Sequence, residues 1–150
     1  SKELAISFHL YPMTPADYPE VMTLWQRSSG LTLREADSQT AIAAYLARNP
    51  GLSFVAREQG ALLGAILVGT DGRRGYLQHL TVAEAARGRG MGKALLAAAI
   101  DALQKIGIGK THLMVHADND SAMAFYRHLG WEDRQAIRLF SFNASGHENC

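Results

Sequence analysis

Residues 80–94 are Leu80-Thr81-Val82-Ala83-Glu84-Ala85-Ala86-Arg87-Gly88-Arg89-Gly90-Met91-Gly92-Lys93-Ala94. They are typical of a strand, a short loop and the start of a helix. Every second residue from 88 to 92 is a glycine, which lets the backbone turn sharply and approach a ligand closely. Unpaired N–H groups and the helix dipole attract anions to a helix N-terminus, and Arg87 and Arg89 suit phosphate oxygens. The segment therefore predicts a phosphate or pyrophosphate cradle.

The residues after the glycines have helical periodicity, which indicates that the loop leads into a helix. The apolar face predicted for this helix consists of Met91, Leu95, Ala98, Ala99, Ala102, Leu103 and Ile106. Two other phosphate-binding loops are excluded by their spacing. The dinucleotide fingerprint G-x-G-x-x-G fails at Lys93 or Leu95, and the P-loop fails at Ala94, where it needs a hydroxyl.

The composition is that of an ordinary globular protein. The 150 residues are 47% hydrophobic and 19% charged, which predicts one domain over residues 1–150. A net charge of +1 gives no reason to expect binding to nucleic acid or membranes. The sequence has no long apolar run or signal-peptide pattern, and Cys150 is its one cysteine. We therefore expect a cytoplasmic protein without disulfides or a cysteine metal site.

The first fifty residues predict one strand followed by two helices. Apolar residues alternate from Ile6 to Tyr11, as in a strand. Thr14-Pro15 predicts the N-cap and first residue of a helix that runs to about Arg27. Ser38 predicts the start of a second helix, which Asn49-Pro50-Gly51 ends.

Three strands should then form an antiparallel meander, over residues 52–58, 61–70 and 76–82. Gln59-Gly60 forms the first tight turn, and Asp71–Gly75 forms the second. The meander leads directly into the glycine-rich loop.

The helix after the loop ends near Gly107 and leads to a fifth strand from Thr111 to His116. Strands four and five should be parallel neighbours, because a crossover helix joins them. A short helix ended by Gly130 follows, and residues 131–142 are long enough for a bent strand or a closing hairpin. The order of elements predicts an α/β protein with a mixed sheet.

Two motifs resemble signatures of the GNAT family of N-acetyltransferases. Arg87 to Gly92 matches [QR]-x-x-G-x-[GA], the acyl-coenzyme A signature. Asn119 to Trp131 matches N-x-x-A-x-x-[FL]-Y-x-x-x-G-[FYW], and one helix and one strand separate the two, as in the family. The resemblance covers roughly residues 52–131. It implies a GNAT fold, with six to seven strands flanked by about four helices and a splay between strands four and five.

The resemblance also implies roles for particular residues. The N–H of Val82 is the expected oxyanion donor, Tyr126 the general acid, and Asn119 a ligand of the cofactor or a helix cap. The residues expected to bind acetyl-CoA are Leu80, Val82, Arg87, Gly88, Arg89, Gly90, Met91, Gly92, Lys93, Asn119 and Tyr126.

The general base is less clear from the sequence. Without a bulge, Val82 shares its face of the strand with Leu80, Gln78 and Tyr76, and none of these is an easy base. His79 has a suitable side chain but should point the other way unless a bulge re-aims it. Glu35 and a chain of water molecules are the alternatives.

The function implied is transfer of an acetyl group from acetyl-CoA to a primary amine, with no metal. The acceptor stays open between a protein N-terminus, a lysine and a small-molecule amine, and Asp71–Gly75 either wall its pocket or form a plain turn. A non-catalytic acyl-CoA sensor or an interaction domain on the same fold is the alternative.

His112 and His116 are expected to be ordinary strand histidines rather than a metal pair. A homodimer is a further expectation.

Overall fold

The computed structural model describes residues 7–150, so Ile6, where the first strand was predicted to begin, lies outside the described residues. The described part has five strands and four α-helices. The strands are β1 (Phe8–Pro12), β2 (Phe54–Glu58), β3 (Ala61–Thr70), β4 (Gly75–Val82) and β5 (Thr111–Leu113). The α-helices are α1 (Tyr18–Gln26), α2 (Gln39–Arg48), α3 (Met91–Lys105) and α4 (Asp120–His128).

The five strands form one sheet in the order β1-β2-β3-β4-β5. The pairs β1–β2, β2–β3 and β3–β4 are antiparallel, and β4–β5 is parallel. The predicted meander and the parallel neighbours joined by a crossover helix are therefore confirmed. At the β3–β4 turn, Asp71 Oδ1 accepts hydrogen bonds from the N–H groups of Arg73 and Arg74 at 2.7 and 2.8 Å.

Helices cover both faces of the sheet. Alternate residues of a strand point to opposite sides, so each strand contributes side chains to both layers. Ala65 and Leu67 of β3 belong to a core cluster with residues of α1 and α2. The neighbouring Gly64 lies against α3, where a Cβ would be 2.9 Å from Met91 Sδ. The sheet is thus sandwiched between α1 and α2 on one side and α3 on the other.

The predicted splay between β4 and β5 is present. The two strands pair only at Gly75–Thr111, Tyr76–His112 and Leu77–Leu113. The fifth strand ends at Leu113 rather than at His116 as predicted. Residues 78–82 of β4 consequently have no β5 partner along their outer edge, although Gln78, Thr81 and Val82 stay paired to β3.

The chain divides into two compact units, one ending at Leu113 and the other running from Met114 to Cys150. One domain over residues 1–150 stays a prediction. Within residues 7–150, no helix is both long and apolar enough to cross a bilayer.

The prediction of a strand or hairpin over residues 131–142 is wrong. These residues hold no helix or strand, so the described sheet has five strands rather than six or seven. Their apolar residues do alternate with polar ones, but Leu139, Phe140 and Phe142 are 72–92% exposed. A strand needs a partner for its backbone, and the backbone hydrogen bonds here are local, as from Ile137 N to Arg134 O at 3.2 Å.

Candidate active site

The glycine-rich loop has the backbone conformation that its glycines allow. Gly88 and Gly90 have φ of +80° and +81°, in the region that side chains disfavour. A Cβ at either position would meet nothing within 4 Å. The glycines are therefore required by conformation, and the space in front of the loop is open to a ligand.

The loop ends at the uncapped start of the longest helix in the described chain. Gly90 is the N-cap of α3 and has no side chain to cap it. The first intrahelical bond runs from Ala94 N to Gly90 O at 2.9 Å, so the N–H groups of residues 91–93 have no partner within the helix. The side chains of Arg87 and Lys93 are exposed beside them. This donor set, with its positive charge, fits a pyrophosphate.

Arg89 has a partner that the sequence did not indicate. Its guanidinium forms two hydrogen bonds to the carboxylate of Glu58 in β2, at 2.8 and 2.9 Å, and it lies 5.8 Å from the centre of the Phe8 ring. Hydrogen bonds from Arg89 and then from the Ser7 hydroxyl lower the pKa of Glu58 to about 2. The ion pair ties the loop to the C-terminal end of β2.

Gly64 sets how closely α3 approaches the sheet. It lies directly opposite Val82 in the β3–β4 pair. A Cβ at Gly64 would be 2.9 Å from Met91 Sδ and 3.0 Å from Leu95 Cδ1. Met91 is itself 1% exposed, so its side chain anchors the helix. Sequence reasoning missed Gly64, because nothing in its local pattern shows that a helix will lie on it.

A β-bulge interrupts β4 between Gln78 and Thr81. Gln78 pairs with Leu67 and Thr81 with Ala65, so two residues of β4 oppose one of β3. His79, within the bulge, has a φ of +46°. Paired residues lie on the same face of a sheet, so Val82 no longer shares a face with Gln78 and Tyr76. The bulge that was the condition for re-aiming His79 is present.

His79 reaches a buried carboxylate on the side of the sheet covered by α1. Its Nε2 lies 2.7 Å from Oδ1 of Asp37, and its ring centre lies 4.9 Å from that of Trp25 in a T-shaped contact. Asp37 is 6% exposed, whereas Glu35, the alternative base, is exposed. Sequence reasoning missed Asp37, which is 42 residues from His79 and lies in a connection without periodicity.

In the unit from Met114 to Cys150, Asn119 is the N-cap of α4 and Tyr126 lies in its second turn. Asn119 Oδ1 accepts a hydrogen bond from Ala122 N at 3.1 Å, so the predicted cap is present. The ring centre of Tyr126 lies 5.2 Å from that of Phe125 and 5.8 Å from that of Trp131. Burial raises the pKa of Tyr126 to about 12, so its hydroxyl stays protonated well above neutral pH.

A groove of about 1010 Å³ runs between α1 and the start of the glycine-rich loop. Its wall carries both signs of charge, from Glu20, Arg27, Glu84 and Arg87. Among residues 7–150, no group of three or more His, Cys, Asp or Glu side chains is arranged to hold a metal ion.

Comparisons with known proteins agree with the geometry. The model of the Acetyltransferase (GNAT) family matches residues 18–131. An acetyltransferase from Sodalis glossinidius (strain morsitans) is 36% identical over 123 residues, 82% of this chain and 86% of the relative. One from Photorhabdus laumondii subsp. laumondii is 37% identical over 126 residues, 83% and 87% of the two chains.

One solved structure with a similar fold is the PaiA N-acetyltransferase from Thermoplasma acidophilum in complex with coenzyme A. It has a TM-score of 0.77 and is 21% identical, covering 85% of this chain and 91% of that chain. At this identity the likeness concerns the fold alone.

Proposed function

The chain belongs to the GNAT acetyltransferase family and is an acetyl-CoA-dependent N-acetyltransferase, and on that premise we propose that it transfers the acetyl group directly to a primary amine held beside acetyl-CoA. The proposal rests on two features of β4 that occur together. The strand leaves its partner β5 after Leu77, and it leads into an uncapped helix start with free N–H groups.

Each of these two features binds a different part of acetyl-CoA. The N–H groups of the 88–93 loop, with Arg87 and Lys93, hold the pyrophosphate. Backbone groups of Leu80 and Val82, along the edge that β5 leaves, pair with the amides of the pantetheine arm as an added strand would. Arg89, which is paired with Glu58, contributes positive charge. The side-chain oxygen of Asn119 caps α4, and its side-chain nitrogen donates a hydrogen bond to the cofactor.

The reaction forms one C–N bond and breaks one C–S bond. The amine nitrogen attacks the thioester carbonyl carbon, and the N–H of Val82 stabilises the negative charge on the oxygen. His79 accepts a proton from the bound ammonium and so frees the nitrogen lone pair for attack. Tyr126 donates a proton to the departing sulfur, and the second proton that the nitrogen loses returns to the tyrosine oxygen. A phenol with a pKa of about 12 gives its proton to an isolated thiolate at a cost of about 5 kcal/mol. Efficient donation therefore requires that the thiolate is also removed from water, because burial raises the pKa of the thiol and reduces this cost.

For the acceptor, we propose the α-amine of a peptide N-terminus. An α-amine has an ordinary pKa near 8, so roughly a tenth of it is uncharged at pH 7, against about one lysine in 2,500. The sequence has no long acidic stretch of the kind that would favour a polyamine or an aminoglycoside. We place the activity in the cytoplasm, which the single cysteine supports.

Ligand-dependent thermal unfolding tests the proposal, with NAD and ATP as controls. Acetyl-CoA at 100 times its dissociation constant should stabilise the protein by about 2.7 kcal/mol, or roughly 5–10 °C for a chain of this length. A rise with acetyl-CoA alone would support the binding assignment. Thiol release with an alanyl peptide, free lysine and spermidine would then rank the acceptors. A folded protein that shows no rise would overturn the proposal.

A further inference from the structure

We propose that Asp37 is a positioning residue for His79, and that the two side chains together form the general base of the reaction. This inference rests on the proposed function, since it assigns the proton acceptor of the same site. It answers the question that the sequence left open among His79, Glu35 and water.

The geometry supports a pair rather than a chance contact. Nε2 of His79 lies 2.7 Å from Oδ1 of Asp37, a short distance for a nitrogen and a carboxylate oxygen. The side chains of His79 and Asp37 are 17% and 9% exposed, so water competes weakly for the bond. Trp25, 1% exposed, packs against the imidazole ring in a T-shaped contact.

Asp37 is fixed independently of His79. Its Oδ2 accepts a hydrogen bond from the N–H of Arg34 at 2.9 Å, and its backbone oxygen accepts one from the Tyr18 hydroxyl at 2.7 Å. These bonds secure the short turn of residues 35–37. Oδ1 is therefore not needed to hold the turn, and among residues 7–150 only His79 forms a hydrogen bond with it.

The carboxylate selects one form of the imidazole. A carboxylate only accepts hydrogen bonds, so Nε2 of the neutral ring must carry the hydrogen. Nδ1 is then left with a lone pair, and no hydrogen bond to Nδ1 is found within residues 7–150. When Nδ1 takes a proton from the acceptor ammonium, before attack, the ring becomes a cation beside an anion, which stabilises the product of the transfer.

The backbone places this pair in the segment of β4 that β5 leaves. His79 lies two residues after the last β4–β5 pair, at Leu77–Leu113, and three residues before Val82. Its φ of +46° is rare for a residue with a Cβ, and such residues concentrate at functional sites. The bulge brings the ring to the Asp37 side without breaking the pairing to β3 on either side.

The test begins with the ring itself, in the unmodified protein labelled with ¹⁵N-histidine. Nitrogen chemical shifts distinguish the two neutral forms, and the His79→Gln variant assigns the signal among six histidines. We expect hydrogen on Nε2 in the wild type, and a shift toward the Nδ1 form in Asp37→Asn. Hydrogen on Nδ1 in the wild type would overturn the proposal without any activity measurement.

Kinetics then separate a positioning role from a structural one. With an alanyl peptide as acceptor, Asp37→Asn should lower kcat at least tenfold and change KM for acetyl-CoA less than twofold. With hydroxylamine, which is largely uncharged at neutral pH, the loss should be less than threefold after the uncatalysed rate is subtracted. Asp101→Asn, which removes an exposed carboxylate on α3, is the matched control and should match the wild type.

Three outcomes would contradict the inference. An equal loss with both amines would make Asp37 structural, and an unchanged kcat would remove it from the reaction. A loss in Glu35→Gln but not in Asp37→Asn would move the base to Glu35. A wild type that binds no acetyl-CoA would instead refute the proposed function, while the nitrogen spectrum would still decide whether the pair exists.

Discussion

At the scale of single residues, Tyr126 has the sharpest predicted effect on turnover. Its pKa of about 12, raised by burial, keeps the phenol protonated, so the acid is present at every pH at which the enzyme works. Tyr126→Phe removes the proton and little else. We expect kcat to fall at least tenfold, since general acids contribute about 10²–10⁴, while the dissociation constant of coenzyme A changes less than threefold.

Thiol release and calorimetric titration with coenzyme A would measure the two effects of Tyr126→Phe. Tyr11→Phe is the control, because Tyr11 is 48% exposed on β1 and should behave as wild type. Undiminished turnover in Tyr126→Phe would remove this residue as the acid. Full turnover in every variant would leave water as the donor, whereas no turnover in the wild type would favour the acyl-CoA sensor.

Glu58 gives a prediction about pH. Its pKa is lowered from 4.5 to about 2 by Arg89 first and Ser7 second. A group whose pKa is lower in the folded state stabilises the fold above its unfolded pKa, and this stabilisation is lost as the pH falls through the folded value. The contribution of Glu58 should be complete at pH 7 and disappear between about pH 5 and pH 2.

Urea unfolding of the wild type and Glu58→Gln at several pH values measures this contribution. The two proteins should differ at pH 7 and converge toward pH 2. Glu132→Gln, an exposed glutamate in the other unit, should follow the wild type throughout. A constant difference between wild type and Glu58→Gln would mean that the pair with Arg89 does not couple to folding.

The sequence predicted contacts and turns among residues that are close together in the chain, but not contacts between distant residues. Gly88 and Gly90 lie within one loop, so their pattern was sufficient to predict the turn and the helix start that the structure shows. The Asp37–His79 contact joins residues 42 positions apart, and the Glu58–Arg89 pair joins residues 31 positions apart. Such contacts depend on the packing of whole elements, and a single sequence carries no signal for them.

At the scale of elements, the start of α3 can be compared with its own end. Gly90 and Gly107 flank the helix with φ of +81° and +88°, and a Cβ at either would meet nothing within 4 Å. Alanine at either site should therefore destabilise the fold by a similar amount, roughly 1 kcal/mol. Only Gly90 lies in the cradle, so only Gly90→Ala should also weaken coenzyme A binding, by at least fivefold.

Urea unfolding and titration with coenzyme A measure the two effects separately. Gly107→Ala is the matched control, with an expected change in affinity of less than twofold. Equal losses of affinity in the two variants would show that binding responds to general stability. No loss in either would exclude the start of α3 as the pyrophosphate site.

The elements that the sequence predicted well have local causes. The glycine-rich turn, the periodicity of α3 and the tight turns of the meander each follow from residues close in the chain. The bulge at His79 was not predictable, because helices cover both faces of the sheet, so the strand has no clear apolar alternation that an extra residue would visibly shift. Residues 131–142 show the opposite error, since alternation alone predicted a strand where the structure provides no partner.

At the scale of the whole molecule, stability should be unevenly distributed along the chain. The side chains of residues 132–150 are all exposed, whereas Leu67 is 4% exposed within the core of the sheet. A chain shortened after Arg134 should therefore unfold within about 2 °C of the full chain, as expected for changes to exposed residues. Leu67→Ala should lower the midpoint far more, because it leaves a cavity.

Differential scanning calorimetry of the three proteins would test this difference. A large drop on shortening the chain would mean that residues 135–150 bury surface that the structure shows as exposed. The same samples, measured by light scattering, would test the homodimer, which stays a prediction. Residues 131–142, which hold no strand, offer no sheet edge to such a dimer.

The Glu58–Arg89 pair has a consequence for how the protein meets its ligand in a cell. Arg89 already holds a fixed counterion, so a pyrophosphate that engages this arginine exchanges one anion for another instead of neutralising a bare charge. The Glu58 carboxylate offsets the charge of Arg89, so the attraction between this site and the pyrophosphate is weaker, and dissolved ions have less of it to screen. The affinity for coenzyme A should accordingly decline less steeply with added salt than in Glu58→Gln.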